Sequence, residues 1–365
     1  MTTIAYILFA LLLVHFVVIL FNFLSKPYLS QANKIESTPL VSILIPARNE
    51  EENLPNLLSD LKKIDYPNIE IIVCNDHSTD KTSEILEQFV QDFPALSFFT
   101  NQPLPDGWVG KNFACYQLAH KASGEWFLFL DADVRIKPGL INKALSYALS
   151  KKAGLVSIFP EQIIATEGEW KTIPIMNWIL LSFLPLRLVE ICKQPSLSAA
   201  NGQMMFFDAA LYRKNQWHNM VKSNNVEDIS IARKVIAMEH SVSVLLGKND
   251  VLCRMYPNYQ SALKGFSLNV HQFFVGSRLW MVLFLVVTWL RLPFYILSGQ
   301  YVLLFLSLLL ILIMKYMISR LSRIRFAKNL RFHFNQLWAF TLMVFFNIKN
   351  YRRKQFEWKG RIYKA

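Results

Sequence analysis

Three long hydrophobic runs stand out along the chain, one near its start and two near its end. Residues 4–24 carry no charged side chain, and a helix of that length can cross the roughly 30 Å hydrocarbon core of a bilayer. Residues 279–297 and 301–318 are separated by only three residues, so they predict a tight helical hairpin over residues 279–318. The apolar stretch 337–348 is too short to span, so residues 334–348 are predicted to form an interfacial or re-entrant segment.

Between these runs, hydrophobic segments of strand length alternate with segments of helix length. The predicted strands are residues 41–46, 69–75, 96–101, 125–130 and 154–159, and the predicted helices are residues 50–64, 79–93, 111–121 and 137–151. Strands that are apolar nearly throughout, alternating with helices, predict an α/β fold with a mostly parallel, Rossmann-like sheet flanked by helices. Residues 170–192 break the alternation, and their apolar, tryptophan-containing sequence fits either a buried helix pair or a segment at the membrane interface.

These patterns divide the chain into four predicted parts. An N-terminal transmembrane helix (1–25) and a linker (26–39) precede a cytosolic α/β domain (40–270), and residues 271–365 form a C-terminal membrane region with a basic tail. The four cysteines stand far apart and form no C-x-x-C pair, which argues against a disulfide scaffold or a cysteine-based zinc site.

The net charge of +13 is confined to one part of the chain. Residues 291–365 contain 14 basic side chains and one acidic side chain, so this segment carries the whole excess. Basic residues that flank membrane spans favour the cytoplasmic side, which predicts a multi-pass protein of the cell membrane with its α/β domain in the cytoplasm. Nucleic-acid binding is disfavoured, because these basic residues are interleaved with apolar spans and do not line a soluble groove.

Polar residues follow the predicted strands at the points where ligands bind in parallel sheets. Pro46, Arg48 and Glu50 follow the first strand, Asp76 follows the second, and the pair Asp131 and Asp133 follows the fourth. An Asp-x-Asp pair at a strand end can place oxygen ligands on a divalent cation that bridges a diphosphate. The same pair could also be a solvated turn, but the two other polar strand ends favour a binding site.

A glycine-containing loop precedes one of the predicted helices. Gly107 and Gly110 allow tight backbone turns, and Lys111 opens the helix that follows. A cation beside a helix N-terminus is a plausible diphosphate site, although an ordinary exposed helix lysine would have the same sequence.

Taken together, these motifs resemble the family 2 inverting glycosyltransferases, which have the GT-A fold. The resemblance rests on residues 45–50 with Glu52, on residues 75–80 and 130–133, and on the Glu-Asp pair at 227–228. Residues 104–112, 158–162, 201–203 and 254–256, followed by Gly265 and Phe266, are similar to the carotenoid glycosyltransferases, the group of hydroxychlorobactene glucosyltransferase and diaponeurosporenoate glycosyltransferase. The Gln-x-x-Arg-Trp motif of processive polysaccharide synthases is absent from the sequence.

The resemblance implies a role for each matching residue. In the nucleotide-sugar site, Asp76 would bind the uracil, and Pro46 and Glu50 would frame the base and ribose with Arg48 beside them. Asp131 would approach the ribose or the metal. Lys111 would bind the diphosphate. Asp133, with Asp131, would hold Mn²⁺ or Mg²⁺. Asp228 would be the catalytic base. The acceptor or sugar would lie against Trp108, Asn201, Gly202, Gln203 and Glu227, and either Arg254 or Arg278 would contact the diphosphate.

The implied activity is that of a membrane-bound inverting hexosyltransferase. It would move a hexose, with glucose as the leading candidate, from a UDP-sugar to a lipophilic acceptor. The acceptor group would be a hydroxyl or a carboxyl, and the leading candidate for the acceptor is a carotenoid. The alternatives are transfer to a polyisoprenyl phosphate, a hopanoid or a glycerolipid, and, in another class, a non-catalytic membrane protein that retains the fold. Loss of the site aspartates would favour the non-catalytic alternative. All four are present, namely Asp76, Asp131, Asp133 and Asp228.

Overall fold

The computed structural model describes residues 1–29, 37–353, 355–358 and 361–364, with side chains through residue 351. Part of the predicted linker (30–36) and the basic side chains at 352–354 therefore lie outside the described residues. The strands are β1 (Val41–Ala47), β2 (Ile69–Asn75), β3 (Leu96–Thr100), β4 (Trp126–Leu130), β5 (Val134–Ile136), β6 (Ala153–Phe159), β7 (Glu161–Gln162), β8 (Met204–Asp208), β9 (Ser241–Leu246), β10 (Val251–Cys253), β11 (Gln355–Trp358) and β12 (Arg361–Lys364).

The α-helices range from single turns to 24 residues. They are α1 (Thr2–Ser25), α2 (Leu54–Leu61), α3 (Thr82–Asp92), α4 (Gly110–Lys121), α5 (Leu140–Lys151), α6 (Glu167–Trp170), α7 (Ile173–Phe183), α8 (Leu186–Cys192), α9 (Ala209–Asn215), α10 (Trp217–Met220), α11 (Glu227–Ala237), α12 (Tyr259–Asn269), α13 (Arg278–Leu297), α14 (Tyr301–Leu321), α15 (Phe326–Arg331) and α16 (His333–Arg353). Short 3₁₀ helices cover Pro195–Leu197 and Val270–Phe274.

The described chain forms two compact units. The sheet unit contains residues 27–161 and 186–254, and the helical unit contains residues 1–26, 162–185 and 255–365. Residues 162–185 and 255–270, which the sequence predicts to be part of the cytosolic domain, thus belong to the unit that holds the long apolar helices.

The sheet unit is built on a seven-stranded mixed sheet in the order β3-β2-β1-β4-β8-β6-β9. Strands β1 to β4 run parallel to one another and β6 pairs in parallel with β9, whereas β8 runs antiparallel to both β4 and β6. Apolar side chains of the sheet pack against those of α2 and α5 in one buried core, in which Ile43, Leu58 and Leu145 are fully buried. The mostly parallel α/β fold predicted from the sequence is confirmed.

The direction of the strands brings distant loops to one edge of this sheet. The carboxyl ends of β1, β2 and β4 share that edge because these strands are parallel. Strand β8 begins there, because it is antiparallel to β4 and its first residue, Met204, pairs with Leu130 at the end of β4. The loop that precedes β8 therefore reaches the same edge as the loops that follow β1, β2 and β4.

The helical unit contains the predicted membrane segments. Within the described residues, α1, α13 and α14 are long and apolar enough to cross a membrane. A bent helix pair over residues 167–192, whose second helix α8 belongs to the sheet unit, would make a fourth span. Ala5, Leu12 and Ile19 of α1 are buried at intervals of seven residues. Asn22 of the same helix donates hydrogen bonds to the carbonyl oxygens of Leu181 and Leu184, at 3.1 and 2.8 Å, at the end of α7.

The predicted interfacial or re-entrant segment lies inside one continuous helix, α16, which is 21 residues long. This helix is polar as well as apolar on its buried side. Gln336 donates to the carbonyl oxygen of Trp170 at 3.1 Å, and Asn347 donates to that of Ser267 at 2.8 Å. The helix is not among the segments apolar enough to span a membrane.

Candidate functional site

The loops after β1 and β2 are joined by hydrogen bonds at the carboxyl edge of the sheet. The Asp76 amide donates to the carbonyl oxygen of Ala47 at 2.8 Å, and the Arg48 guanidinium donates to the carbonyl oxygen of Asp76 at 2.6 Å. The Asp76 carboxylate is only 4% exposed and accepts a hydrogen bond from the Asn101 amide at 3.0 Å. Sequence reasoning missed Asn101, which follows directly after β3 and could have been found as a further polar strand end.

Glu50 is fixed at the same edge by its neighbours. Its backbone N–H donates to the Thr82 hydroxyl at 2.9 Å, and its carboxylate accepts from the Asn53 side-chain amide at 2.9 Å. Pro46 is partly buried near the end of β1, where it is paired with Cys74 of β2. The residues expected to frame a nucleotide are therefore held by hydrogen bonds and strand pairing between the segments that follow β1 and β2.

Lys111 lies between two acidic side chains that come from distant parts of the chain. Its ammonium nitrogen is 2.8 Å from a carboxylate oxygen of Asp131 and 3.1 Å from Oε1 of Glu227. Burial alone would lower the pKa of Lys111, but the charges of Asp131 and Glu227 raise it well above its usual value. Lys111 is therefore an internal counter-ion of this cluster and differs from an ordinary exposed helix lysine.

Gly202 is the point where the members of this cluster meet. A Cβ atom at Gly202 would lie 3.0 Å from Oε1 of Glu227, 3.2 Å from Nζ of Lys111 and 3.6 Å from Cβ of Asp228. The Gly202 N–H donates to the Asp228 carboxylate at 2.9 Å. The close approach of these side chains leaves little room for any side chain at position 202.

Asp228 is placed at the start of α11 with both carboxylate oxygens hydrogen-bonded. One oxygen accepts from the Gly202 N–H and the other from its neighbour Ile229 N–H at 2.7 Å. Burial and then the negative charge of Glu227 raise the pKa of Asp228 to about 7, against the weaker lowering effects of these hydrogen bonds and of Lys111. A carboxyl group with a pKa near neutrality can accept a proton efficiently at physiological pH.

Asp133 forms a second, adjoining group with Gln203 and Cys253. The Gln203 side-chain amide donates to both Asp133 oxygens at 3.2 Å and to the Cys253 sulfur at 2.9 Å. Burial, followed by the charges of Asp131 and Glu50, raises the pKa of Asp133 to about 6. Sequence reasoning missed Cys253, which stands alone in the sequence and has no motif around it.

The residues around Asp133 suit a hard cation that also binds the substrate. Among the residues that the structure describes, no three His, Cys, Asp or Glu side chains converge to hold a metal ion unaided. The two carboxylates Asp131 and Asp133, whose pKa values are raised by burial and by the negative charges of neighbouring acidic residues, are nevertheless stabilised by a positive charge. The buried Oε1 atom of Gln203 has no hydrogen-bond partner among the residues that the structure describes, so it offers a further oxygen ligand.

The remaining predicted site residues are not all part of this cluster. Asn201 lies next to Gly202 and is fixed by its backbone N–H donating to the Ser157 hydroxyl at 2.8 Å. Trp108 packs against the rings of Phe113 and Tyr116, at centroid distances of 5.3 and 5.1 Å.

The two arginines considered for diphosphate binding lie in different units. Arg254 is exposed just after β10 in the sheet unit. Arg278 belongs to the helical unit, where its guanidinium lies 3.7 Å from the centroid of the Tyr351 ring. Diphosphate binding by either arginine therefore stays a prediction.

Known proteins similar to this chain are glycosyltransferases. The model of the family "Glycosyl transferase family 2" matches residues 42–214. The chain is 28% identical over 235 residues to 4,4'-diaponeurosporenoate glycosyltransferase of Staphylococcus haemolyticus, an alignment that covers 64% of this chain and 61% of the relative. It is 30% identical over 136 residues to beta-monoglucosyldiacylglycerol synthase of Nostoc sp., covering 37% of this chain and 29% of that relative. These alignments thus span about three fifths and under a third of the relatives' lengths.

A solved structure has a similar fold over nearly the whole chain. The mannosyltransferase from Pyrobaculum calidifontis, determined in complex with GDP-Man and Mn²⁺, superposes with a TM-score of 0.58 at 16% identity and covers 94% of this chain and 98% of that chain. At this identity the likeness concerns the fold alone. Together with the family match, it confirms the expected GT-A fold and the resemblance to family 2 glycosyltransferases.

Proposed function

We propose that this chain, whose residues 42–214 match the model of glycosyl transferase family 2, is a glycosyltransferase that transfers a hexose from a UDP-sugar to a lipophilic acceptor. The observation that carries the proposal is the position of Asp228. It lies beside Gly202 and the Lys111–Glu227 ion pair at the ligand-binding edge of the sheet, with a pKa raised by burial to about 7. The acceptor is proposed to be a carotenoid, because the alignment with the diaponeurosporenoate enzyme is the longer of the two reported above.

In this proposal the donor occupies the edge formed by β1, β2 and β4. Asp76 would bind the uracil, with Pro46, Arg48 and Glu50 beside the base and ribose. A divalent cation, Mn²⁺ or Mg²⁺, would neutralise the charge of the departing diphosphate, and Asp133 with Asp131 would hold it. Lys111 would keep the neighbouring carboxylates ionised and add positive charge near the diphosphate.

Asp228 would act as a general base toward a hydroxyl acceptor. It would accept the hydroxyl proton while the acceptor oxygen bonds to the anomeric carbon from the face opposite the diphosphate, which leaves with the bonding electron pair and inverts the configuration. Base catalysis of this kind contributes about 10²–10⁴-fold to a rate. A carboxylic acid acceptor is already ionised at neutral pH, so its reaction would depend much less on Asp228.

The helical unit is proposed to hold the enzyme in the cell membrane. Helices α1, α13 and α14 would span the bilayer, and the basic residues after α14 would put the sheet unit on the cytoplasmic side. A lipophilic acceptor could then reach the enzyme from the bilayer without entering water.

The test is a transfer assay with membranes that contain the full-length chain and labelled UDP-glucose. The acceptors are a hydroxylated carotenoid, a carotenoic acid, diacylglycerol and a polyisoprenyl phosphate, and the similarity to the monoglucosyldiacylglycerol synthase makes diacylglycerol the second candidate. Wild type is compared with Asp228→Asn and with Asp92→Asn, a change at an exposed aspartate that forms a surface ion pair with Lys62.

We expect a lipid-soluble labelled product from wild type and from Asp92→Asn. With a hydroxyl acceptor, Asp228→Asn should be slower by about 100-fold or more. A water-soluble oligosaccharide as the labelled product would overturn the lipid acceptor. Full activity of Asp228→Asn on a hydroxyl acceptor would overturn the assigned base.

A further inference from the structure

The helical unit contains a cavity that the proposed transfer reaction does not use. Its volume is about 310 Å³, and its walls include Ile164, Trp170, Arg323, Ile324, Arg325 and Lys328. This volume lies at the lower end of the range found for ligand sites in proteins. The cavity therefore has the size of a site for one small polar group.

Three cations line the cavity, and no acidic residue does. Arg325 and Lys328 are exposed and form no salt bridge within the part of the chain whose side chains are described. Glu169, the buried acid of the adjoining helix α6, accepts hydrogen bonds from the backbone N–H groups of Ala165 and Thr166. The charge of the cavity is therefore positive, and it suits an anion.

The wall formed by Trp170 is fixed from behind by a buried polar network. The carbonyl oxygen of Trp170 accepts from the Gln336 side chain at 3.1 Å, and Gln336 also donates to Asn329 at 3.1 Å. The ammonium group of Lys315 donates to both Gln336 and Asn329. On the cavity side, the Lys328 ammonium nitrogen lies 5.7 Å from the centroid of the Trp170 ring. The cavity is thus bounded by Trp170, whose backbone this network holds, and by cations.

The position of the cavity in the chain indicates where its ligand comes from. Arg323 and Arg325 follow within four residues the end of α14 at Leu321, one of the helices apolar enough to span a membrane. A residue at such a helix end lies near the level of the lipid headgroups. The isoleucines and the tryptophan form the apolar part of a mainly polar lining, which a free inorganic anion would not need but the glycerol portion of a lipid could contact.

We propose that this cavity binds the phosphate group of an anionic phospholipid of the cytoplasmic leaflet. The inference rests on the membrane placement given under the proposed function. Arginine guanidinium groups bind phosphate oxygens in a bidentate manner, and lysine adds a point charge. Basic pockets beside membrane helices are suited to anionic headgroups. The bound lipid would link the loop between α14 and α15 to α6.

The experiment measures binding and stability without measuring transfer. Full-length protein in neutral-detergent micelles at 150 mM salt is titrated with phosphatidylglycerol, with phosphatidylcholine, or with inorganic phosphate, and the melting temperature is followed. The cavity variant is Arg325→Gln with Lys328→Gln. The matched control is Arg331→Gln with Lys349→Gln, which removes the same two charges from exposed positions outside the cavity.

We expect phosphatidylglycerol, and neither of the other two additives, to raise the melting temperature of wild type. The half-saturating concentration should rise about tenfold or more in the cavity variant and by less than about threefold in the control, because salt screens exposed charges. The charge-retaining variant Arg325→Lys with Lys328→Arg should bind nearly as wild type, which separates loss of binding from loss of folding.

Three results would overturn the proposal. Equal weakening in the cavity variant and the control would mean that the lipid responds only to overall charge. Stabilisation of wild type by inorganic phosphate at the same concentrations would replace the lipid by a soluble anion. Binding by the cavity variant at the wild-type concentration would exclude the cavity. Recovery of the chain in the membrane fraction is measured first. A chain that is absent from this fraction would contradict the proposed membrane placement, and this result is distinct from a loss of lipid binding.

Discussion

Replacing Lys111 by methionine tests whether one cation holds the acidic cluster together. Burial raises the pKa of Asp131, Asp133 and Asp228, whereas at Glu227 the charge of Lys111 helps to outweigh burial and the pKa is lowered; at all four carboxyl groups the charge of Lys111 acts against burial. Methionine keeps the approximate length of the side chain and removes the charge. The variant should therefore have several carboxyl groups whose pKa values are higher than in wild type.

The expected cost can be worked from the geometry of the cluster. Removing one partner of a fully buried ion pair costs about 3–5 kcal/mol, and the partial exposure of Lys111 reduces this to about 2–3 kcal/mol. For a unit of this size that corresponds to a melting temperature lower by about 4–12 °C.

The cost should depend on pH in a defined direction. Consider an acid whose pKa is higher in the folded chain than in the unfolded chain. Its contribution to the stability of the fold is complete only at a pH below the pKa of the unfolded chain. This contribution is lost as the pH rises through the pKa of the folded chain. The deficit of Lys111→Met should therefore be larger near pH 8 than near pH 5.5.

The assay is the melting temperature of purified full-length protein in detergent at these two pH values. Lys143→Met is the matched control, because Lys143 forms a 2.6 Å ion pair with Asp250 in the same unit at a similar exposure, 31% against 34% for Lys111. The control should lose less stability, because Lys143 pairs with one carboxylate and Lys111 with two, and its loss should be nearly the same at both pH values. Equal deficits of Lys111→Met at both pH values would refute the reasoning.

Three further predictions concern the proposed transfer reaction. The rate with a hydroxyl acceptor should fall as the pH drops below about 7, because burial raises the pKa of Asp228 to about 7 and its protonated form cannot accept a proton; a flat rate from pH 6 to 8 would contradict this. Gly202→Ala should slow transfer at least about tenfold, because its Cβ would lie 3.0 Å from a carboxylate oxygen of Glu227. The control Gly139→Ala should lose stability, because the backbone φ there is +80°, and it should keep the transfer rate of wild type. Asp133→Asn should raise the Mn²⁺ concentration for half-maximal rate about tenfold or more, and Asp92→Asn should leave it unchanged.

The sheet was predictable because its strands are short, apolar and separated by clear helical segments. The predicted bounds of β2, residues 69–75, are those of the structure. The first helix of the sheet unit was placed too early, since α2 begins at Leu54 and not at residue 50. The reason is local: Asn49 has a φ of +53°, and the Glu50 N–H is bonded to the Thr82 hydroxyl, so the chain turns before the helix begins.

The composition of the site was only partly accessible from sequence. Polar strand ends identify Asp76, Asp131 and Asp133 as candidates, because parallel strands bring their carboxyl ends together. The contact between Gly202 and Asp228 depends on the antiparallel direction of β8, which no local pattern reveals. The roles of these residues stay predictions until the transfer assays are done.

The length of α16 was underestimated for a different reason. The predicted segment ends at residue 348 because basic residues follow it, whereas α16 continues to Arg353. Within this helix Gln336 and Asn347 are buried, and their side-chain amides are hydrogen-bonded to backbone carbonyls of neighbouring helices. A polar residue that finds a partner inside a helical bundle does not end a buried face. Sequence alone cannot distinguish such a residue from one that faces water.

The first helix has a practical consequence for anyone who wishes to handle this protein without detergent. Asn22 supplies hydrogen bonds to two carbonyl oxygens at the end of α7, where a helix leaves its last carbonyls without partners of its own. Deleting residues 1–25 would therefore remove a packed helix of the helical unit as well as a proposed membrane anchor. It would leave those carbonyl groups without hydrogen-bond partners and would expose the apolar surface that α1 covers. A truncated chain made to be soluble should instead be prone to aggregate.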